Sequence, residues 1–200
     1  MINTDMSESQ ILEKFSQVVA KSLRIDSSQV TSDAYLDELG AESLDLIEIT
    51  METESQFNIF LPDKSILDTA VDVFGPGVLE KDGYLTEEGK RLMRHRMPET
   101  DAQAFMGDVS VNDLKRYFLK VSTWIRMVQG LMEHTPQVCA ACGGGMVASM
   151  GFRFKCSACA QEVTLRSGEE INREWVQKYR DEEYRPESIS GTMQSAAQAG

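Results

Sequence analysis

Two sets of residues in this sequence have the types and spacing to do chemistry. The first is a single serine. Ser43 stands directly before an apolar-periodic run containing Leu44, Ile47 and Met51. That is where an N-cap residue belongs, at the positive end of a helix dipole. Gly40 lets the chain turn sharply into this helix, and Asp45 and Glu48 bring negative charge to its first turns. A phosphodiester on a helix-opening serine would sit at an intrinsic anion site. The second set is four cysteines in two C-x-x-C knuckles, Cys139 with Cys142 and Cys156 with Cys159, thirteen residues apart. Four thiolates at that spacing can close a tetrahedral metal centre with no position open for water, so such a site would be structural.

The elements that must position these residues follow from periodicity. Ile11, Phe15, Val18, Val19 and Leu23 share one face of an amphipathic helix that Ser7 or Ser9 could cap. The Ser43 helix closes before Phe57-Asn58-Ile59-Phe60-Leu61-Pro62-Asp63, where Pro62 ends any helical continuation. Val71, Val73 and Phe74 come next, broken at Gly75-Pro76-Gly77. Thr86 then caps a helix start with Glu87 and Glu88 in its first turn. From Ser110 a single helix is expected, carrying Val111, Leu114, Tyr117, Phe118, Val121, Ile125 and Val128 in one regular pattern. Ile171, Trp175, Val176 and Tyr179 predict a further helix over Glu169 to Tyr184, packed on a neighbouring module. Lys90, Arg91, Arg94, His95 and Arg96 form the one basic run and read as a solvated helix face with His95 at the surface.

The block from Asp37 to Asp63 resembles an acyl carrier protein, a family marked by Asp-Ser-Leu at the start of its second helix. Here the triplet is Glu42-Ser43-Leu44, with Leu39-Gly40 upstream and Phe57-Asn58-Ile59 and Leu61-Pro62-Asp63 downstream at the family's spacings. The match covers roughly residues 8 to 66. The resemblance implies that Ser43 carries 4′-phosphopantetheine, transferred from coenzyme A by a phosphopantetheinyl transferase. The arm thiol would then hold acyl intermediates as thioesters for fatty-acid, polyketide or specialised lipid biosynthesis. Such a carrier catalyses nothing; it raises the local concentration of substrate for acyl-transferring or condensing enzymes. Glu42, Asp45, Glu48, Glu52 and Glu54 lie on or near that helix and would meet basic docking surfaces on those enzymes. A typical carrier closes soon after its Leu-Pro-Asp, so roughly residues 67–108 are an insertion, expected to cover the arm or to form a specificity surface.

The cysteine segment resembles a zinc ribbon. Gly143-Gly144-Gly145 follows the first knuckle, and Met146 to Ala148, Phe152 to Lys155 and Glu162 to Arg166 alternate as three short strands, the first two joined near Met150-Gly151. Disulfides are disfavoured in a reducing compartment, and no βαβ pattern accompanies a redox pair.

Charge sets the class of partner. Thirty-two acidic against twenty basic residues give a net charge of −12, and residues 1–66 alone carry thirteen acids and four bases. Phosphate-backbone binding needs clustered Lys and Arg, so nucleic acid is not an expected partner. No apolar run spans a bilayer, and Met1 to Gln10 lacks the pattern of a secretory signal, so the expectation is a cytoplasmic protein. There is no Ser-His-Asp set, phosphate-cradling glycine loop or His-Glu-x-x-His motif, so no catalytic residue is assigned. The expected fold is mainly α: an acyl-carrier-like four-helix bundle with a helical insertion over 1–136, a small β zinc ribbon over 137–167, a C-terminal helix over 168–185, and a disordered tail over 186–200. A second functional class stays open, a zinc-ribbon adaptor whose carrier-like domain is unmodified.

Overall fold

The computed structural model describes residues 6–149 and 152–185, which leaves the expected tail and the Met150-Gly151 turn outside the described residues. Seven helices and two small sheets lie within them, in keeping with the mainly helical fold and its small ribbon.

Helix α1 (Glu8–Leu23) starts at Ser7, whose hydroxyl accepts from the Gln10 amide at 3.3 Å, while the Gln10 side chain accepts from the Ser7 amide at 2.9 Å. This reciprocal box satisfies two otherwise unpaired donors. Its apolar face packs on α2 (Ser43–Phe57) and on α6 (Val121–Met132). Ile11, Phe15, Val18 and Val19 meet Ile49 and Phe57 of α2 and Trp124, Ile125 and Val128 of α6, with the Phe15 and Trp124 rings stacked at 5.5 Å. Each fully buried large side chain here contributes about 1.5–3 kcal/mol of transfer free energy. The long connection from α1 to α2 is pinned where the Leu36 amide donates to the Leu119 carbonyl and the Val121 amide to that of Ala34, both at 2.9 Å.

A second core lies beside the first. It is built from α3 (Ile66–Phe74), a two-stranded hairpin (β1 Glu80–Lys81, β2 Tyr84–Leu85), α4 (Glu87–Arg96), α5 (Val111–Phe118) and α7 (Gly168–Glu182). As the sequence predicts, Thr86 caps α4, its hydroxyl accepting from the Gly89 amide at 3.1 Å. The C-terminal helix packs chiefly on α3, burying Val176 and Tyr179.

The helix expected to run unbroken from Ser110 is two helices, α5 and α6, parted at Leu119 and Lys120. The two halves serve different cores. Leu114 of α5 is buried in the second, whereas Val121, Trp124, Ile125 and Val128 of α6 are buried in the first. The backbone of Leu119, at the break, bonds to the connection before α2, which a continuous helix would not allow.

The cysteine module is an antiparallel sheet of β3 (Met146–Ser149), β4 (Arg153–Cys156) and β5 (Glu162–Thr164), in that order. The register sets Met146 opposite Cys156, and Phe154 between Ala148 and Val163. The module touches the turn after α2 where Phe152 meets Phe60 edge-on, ring centroids 5.0 Å apart. Gly168, at the first position of α7, stands so close to the turn after α2 that a Cβ there would lie 2.5 Å from the Pro62 nitrogen and 2.7 Å from the Phe60 carbonyl oxygen. Its own amide donates to that carbonyl at 2.8 Å.

Candidate functional site

Ser43 opens α2, and its position differs by one from the expectation: the cap residue is Glu42, and Ser43 is the first helical residue. The carboxylate of Asp45 reaches back to accept from the Glu42 amide at 2.8 Å, the N3-to-cap half of a capping box. The Ser43 hydroxyl is left exposed, with no hydrogen-bond partner among the described residues. Gly40 turns the chain toward it at φ +94°, a value at which other residues are strained. A free hydroxyl at the positive end of a helix of fifteen residues suits an anionic substituent.

The apolar period that follows Ser43 faces outward. Leu44, Ile47 and Met51 form a solvent-facing row, exposed at 80%, 57% and 64%. The residues that bury are Ile49, Thr53 and Phe57. Five apolar residues between Leu44 and Met51 are more than one buried face can take, and that surplus was the available sign of a second, outward stripe.

Around this stripe the acids differ in what they are free to do. Glu42 and Glu48 are exposed, Asp45 is engaged with the Glu42 amide, and Glu52 pairs with Lys21 at 3.0 Å. Glu54 turns toward its own fold and accepts from the Leu61 amide at 2.9 Å. Burial lifts its carboxyl above the ordinary range, with that amide opposing and Asp63 adding to the rise.

The basic run on α4 is only in part the solvated face the sequence suggests: Arg91, Arg94 and His95 are exposed, and Lys90 and Arg96 are not. Lys90 is buried and bonded to Glu87 at 2.7 Å, and Arg91 pairs with Glu88 at 2.9 Å. Arg96 lies over the Trp175 ring at 5.0 Å. His95 is exposed yet rests against the Trp175 and Tyr179 rings.

All four cysteines are free thiols gathered at one point, their sulfurs within 4.8 Å of one another. Cys139 and Cys159 are 3.7 Å apart and Cys142 and Cys156 3.5 Å, so each knuckle contributes to both close pairs. The amides of Ala158 and Cys159 point at the Cys156 sulfur at 3.4 and 3.5 Å. These donors, that of Cys159 foremost, pull the Cys156 thiol down to about 6. Such a cluster could hold a metal ion.

Comparison with known proteins covers the segment that holds the first of these sites. The family model described as "Phosphopantetheine attachment site" matches residues 13–71. The acyl carrier protein of Guillardia theta is 46% identical over 59 residues, 29% of this chain and 73% of that protein. Those of Prochlorococcus marinus (strain MIT 9515) and Thermotoga maritima are each 39% identical over 61 residues, 30% of this chain and 76% and 75% of theirs. No solved structure matches the chain. A carrier domain of this kind is not itself catalytic and is loaded by a phosphopantetheinyl transferase. Among the described residues no helix is long and apolar enough to cross a membrane. With three quarters of a carrier's length aligned at these identities, and a free serine at the head of the second helix, the chain belongs to the acyl carrier protein family.

Proposed function

We propose that Ser43 bears 4′-phosphopantetheine and that the arm's thiol carries acyl groups as thioesters between enzymes of fatty-acid, polyketide or specialised lipid synthesis. The observation that carries this reading is the exposed, unbonded Ser43 hydroxyl at the N-terminus of α2. In the loading step the Ser43 oxygen bonds to the phosphorus next to the pantetheine of coenzyme A. The pyrophosphate bond breaks, adenosine 3′,5′-bisphosphate leaves, and the serine proton passes to a base on the transferase. Leu44, Ile47 and Met51 then offer partner enzymes an apolar contact, rimmed by Glu42, Asp45, Glu48 and Glu52. Basic partner surfaces would be steered by those carboxylates, so their association slows as salt rises.

Zinc is the metal proposed for Cys139, Cys142, Cys156 and Cys159. A zinc–sulfur bond of about 2.3 Å puts tetrahedral sulfurs about 3.8 Å apart, close to the observed pairs. Four thiolates fill the coordination sphere, so the ion holds the fold of the module and takes no part in acyl chemistry.

Intact-mass measurement after incubation with coenzyme A and a transferase tests the main reading. The chain should gain one phosphopantetheine group, and Ser43→Ala should gain none. A wild-type chain that stays unmodified, or an Ser43→Ala chain that is still modified, overturns it.

A further inference from the structure

Helix α7 packs chiefly on α3, and a groove is left between it and α6. Two openings of about 360 Å³ each lie along that groove and adjoin, sharing Arg126, Gly130 and Glu133 of α6 with Trp175 of α7. Gly130 is helical, yet a Cβ built on it would meet nothing within 4 Å. Glycine is the poorest helix former after proline, and no neighbour in this chain needs the space. A helix surface bared to its backbone lets another chain segment come close.

The walls of the groove have the spacing of a helix seat. Met127, Gly130 and His134 on α6 recur at steps of three and four, and Ile171, Trp175 and Lys178 on α7 at steps of four and three. Side chains of a third helix interdigitate with rows of that spacing.

The charge of the groove is opposite to that of the chain. Arg126 is matched by Glu99, and Glu174 by Arg166. Arg96 donates to the neutral Asn172 side chain at 3.1 Å, and Lys178 enters no ion pair among the described residues. Against these two cations stands Glu133. A surplus of positive charge in a chain of net −12 calls for an acidic occupant.

Helix α2 has the matching surface. Its outward row of Leu44, Ile47 and Met51 recurs at steps of three and four, and the exposed carboxylates of Glu42 and Glu48 flank it. No residue of α2 lines the groove, so the two surfaces are separate on one molecule.

We propose that the groove between α6 and α7 seats α2 of a second copy of this chain, with Leu44, Ile47 and Met51 laid over Gly130 and the flanking carboxylates toward Lys178. The contact withdraws from partner enzymes the row that they would otherwise meet, so the carrier holds part of itself in reserve. It requires no arm on Ser43.

Light scattering and sedimentation of the unloaded full chain test this over about 1–300 µM, where a small contact of two helix faces dissociates. The wild-type mass should rise with concentration toward that of two or more copies. Gly130→Leu fills the groove and Ile47→Asp spoils the row, and each alone should stay monomeric over the same range. Mixed in equal amounts they should associate, because the first keeps an intact row and the second an intact groove. Lys178→Glu, at an exposed position, should weaken association of the otherwise unchanged chain about fivefold. Circular dichroism checks that all three variants fold, and Gly130→Leu should still accept phosphopantetheine. A wild-type chain that is monomeric throughout overturns the proposal without any variant. So does a mixture that stays monomeric while the wild type associates, and so does a Gly130→Leu or Lys178→Glu chain that associates as the wild type does, by assigning the contact to another face. Because the chain is unloaded in these measurements, their failure leaves the Ser43 reading standing, and an unmodified Ser43 leaves this one standing.

Discussion

The α1–α2–α6 core and the cysteine module reach order by different physical means. The first buries sixteen apolar side chains in one cluster, Phe15 and Trp124 stacked at its centre. The second buries four residues, and two of those are Cys139 and Cys156. A core of that size does not repay the conformational entropy of its own loops. The carrier part can hold its serine in place by packing alone; the cysteine module would depend for its fold on the ion proposed for its four thiolates.

The largest expected effect is therefore metal removal. A chelator should abolish amide protection in β3, β4 and β5, a loss on the order of 10 kcal/mol of metal-coupled folding energy. Protection in α1, α2 and α6 should persist under the same hydrogen-exchange conditions. Equal protection in the ribbon with and without chelator would erase the contrast between the two regions. The mirror experiment is Phe15→Ala, which should cost about 3–5 kcal/mol in denaturant unfolding of the carrier core. The ribbon's metal content, read by a thiol-sensitive zinc indicator, should not change.

A smaller effect probes the seam between the turn after α2 and α7, the helix that follows the cysteine module. Gly168→Ala sets a methyl group within 2.5 Å of the Pro62 nitrogen, so the turn after α2 or the start of α7 must shift. An overpacking cost of about 1–3 kcal/mol is expected in thermal or denaturant unfolding. No change would mean that the two parts meet more loosely than their backbones suggest.

The smallest effect is electrostatic. The native Glu54 carboxyl titrates above its ordinary 4.5 because burial disfavours its charge. A carboxyl with a raised native pKa contributes stability below the unfolded value and loses it as pH climbs through the native one. Stability of the carrier core should thus fall slightly just above pH 4.5, and Glu54→Gln should flatten that slope.

Much of this architecture can be read from residue order. Ser7, Thr86 and Pro62 mark helix boundaries by chemistry that acts within a few residues, and the alternation through Met146 and Phe154 marks strands in the same local way. Three features escaped for a shared reason. The break at Leu119 and Lys120 depends on which core each half enters, and a 3.6-residue period is the same for both. The outward row of Leu44, Ile47 and Met51 looks like a buried face until the opposite side of α2 is known to be filled by Ile49 and Phe57. Arg96 sits in a basic run, and only the arrival of α7 from far along the chain puts Trp175 beneath it. Ser43 was recognisable because its role depends on the turn it occupies. Whether it or Glu42 is the cap depends on the reach of Asp45, which is a matter of side-chain geometry.

The placement of α6 bears on how the molecule is made. Phe15 leaves the ribosome long before Trp124, by roughly 5–20 s at ~5–20 residues per second. Throughout that interval the first two helices lack their third wall, and their greasy sides are open to chaperones and to one another. A fragment trimmed to residues 13–71 would remain in that unfinished condition, its serine present but the platform beneath it unbuilt.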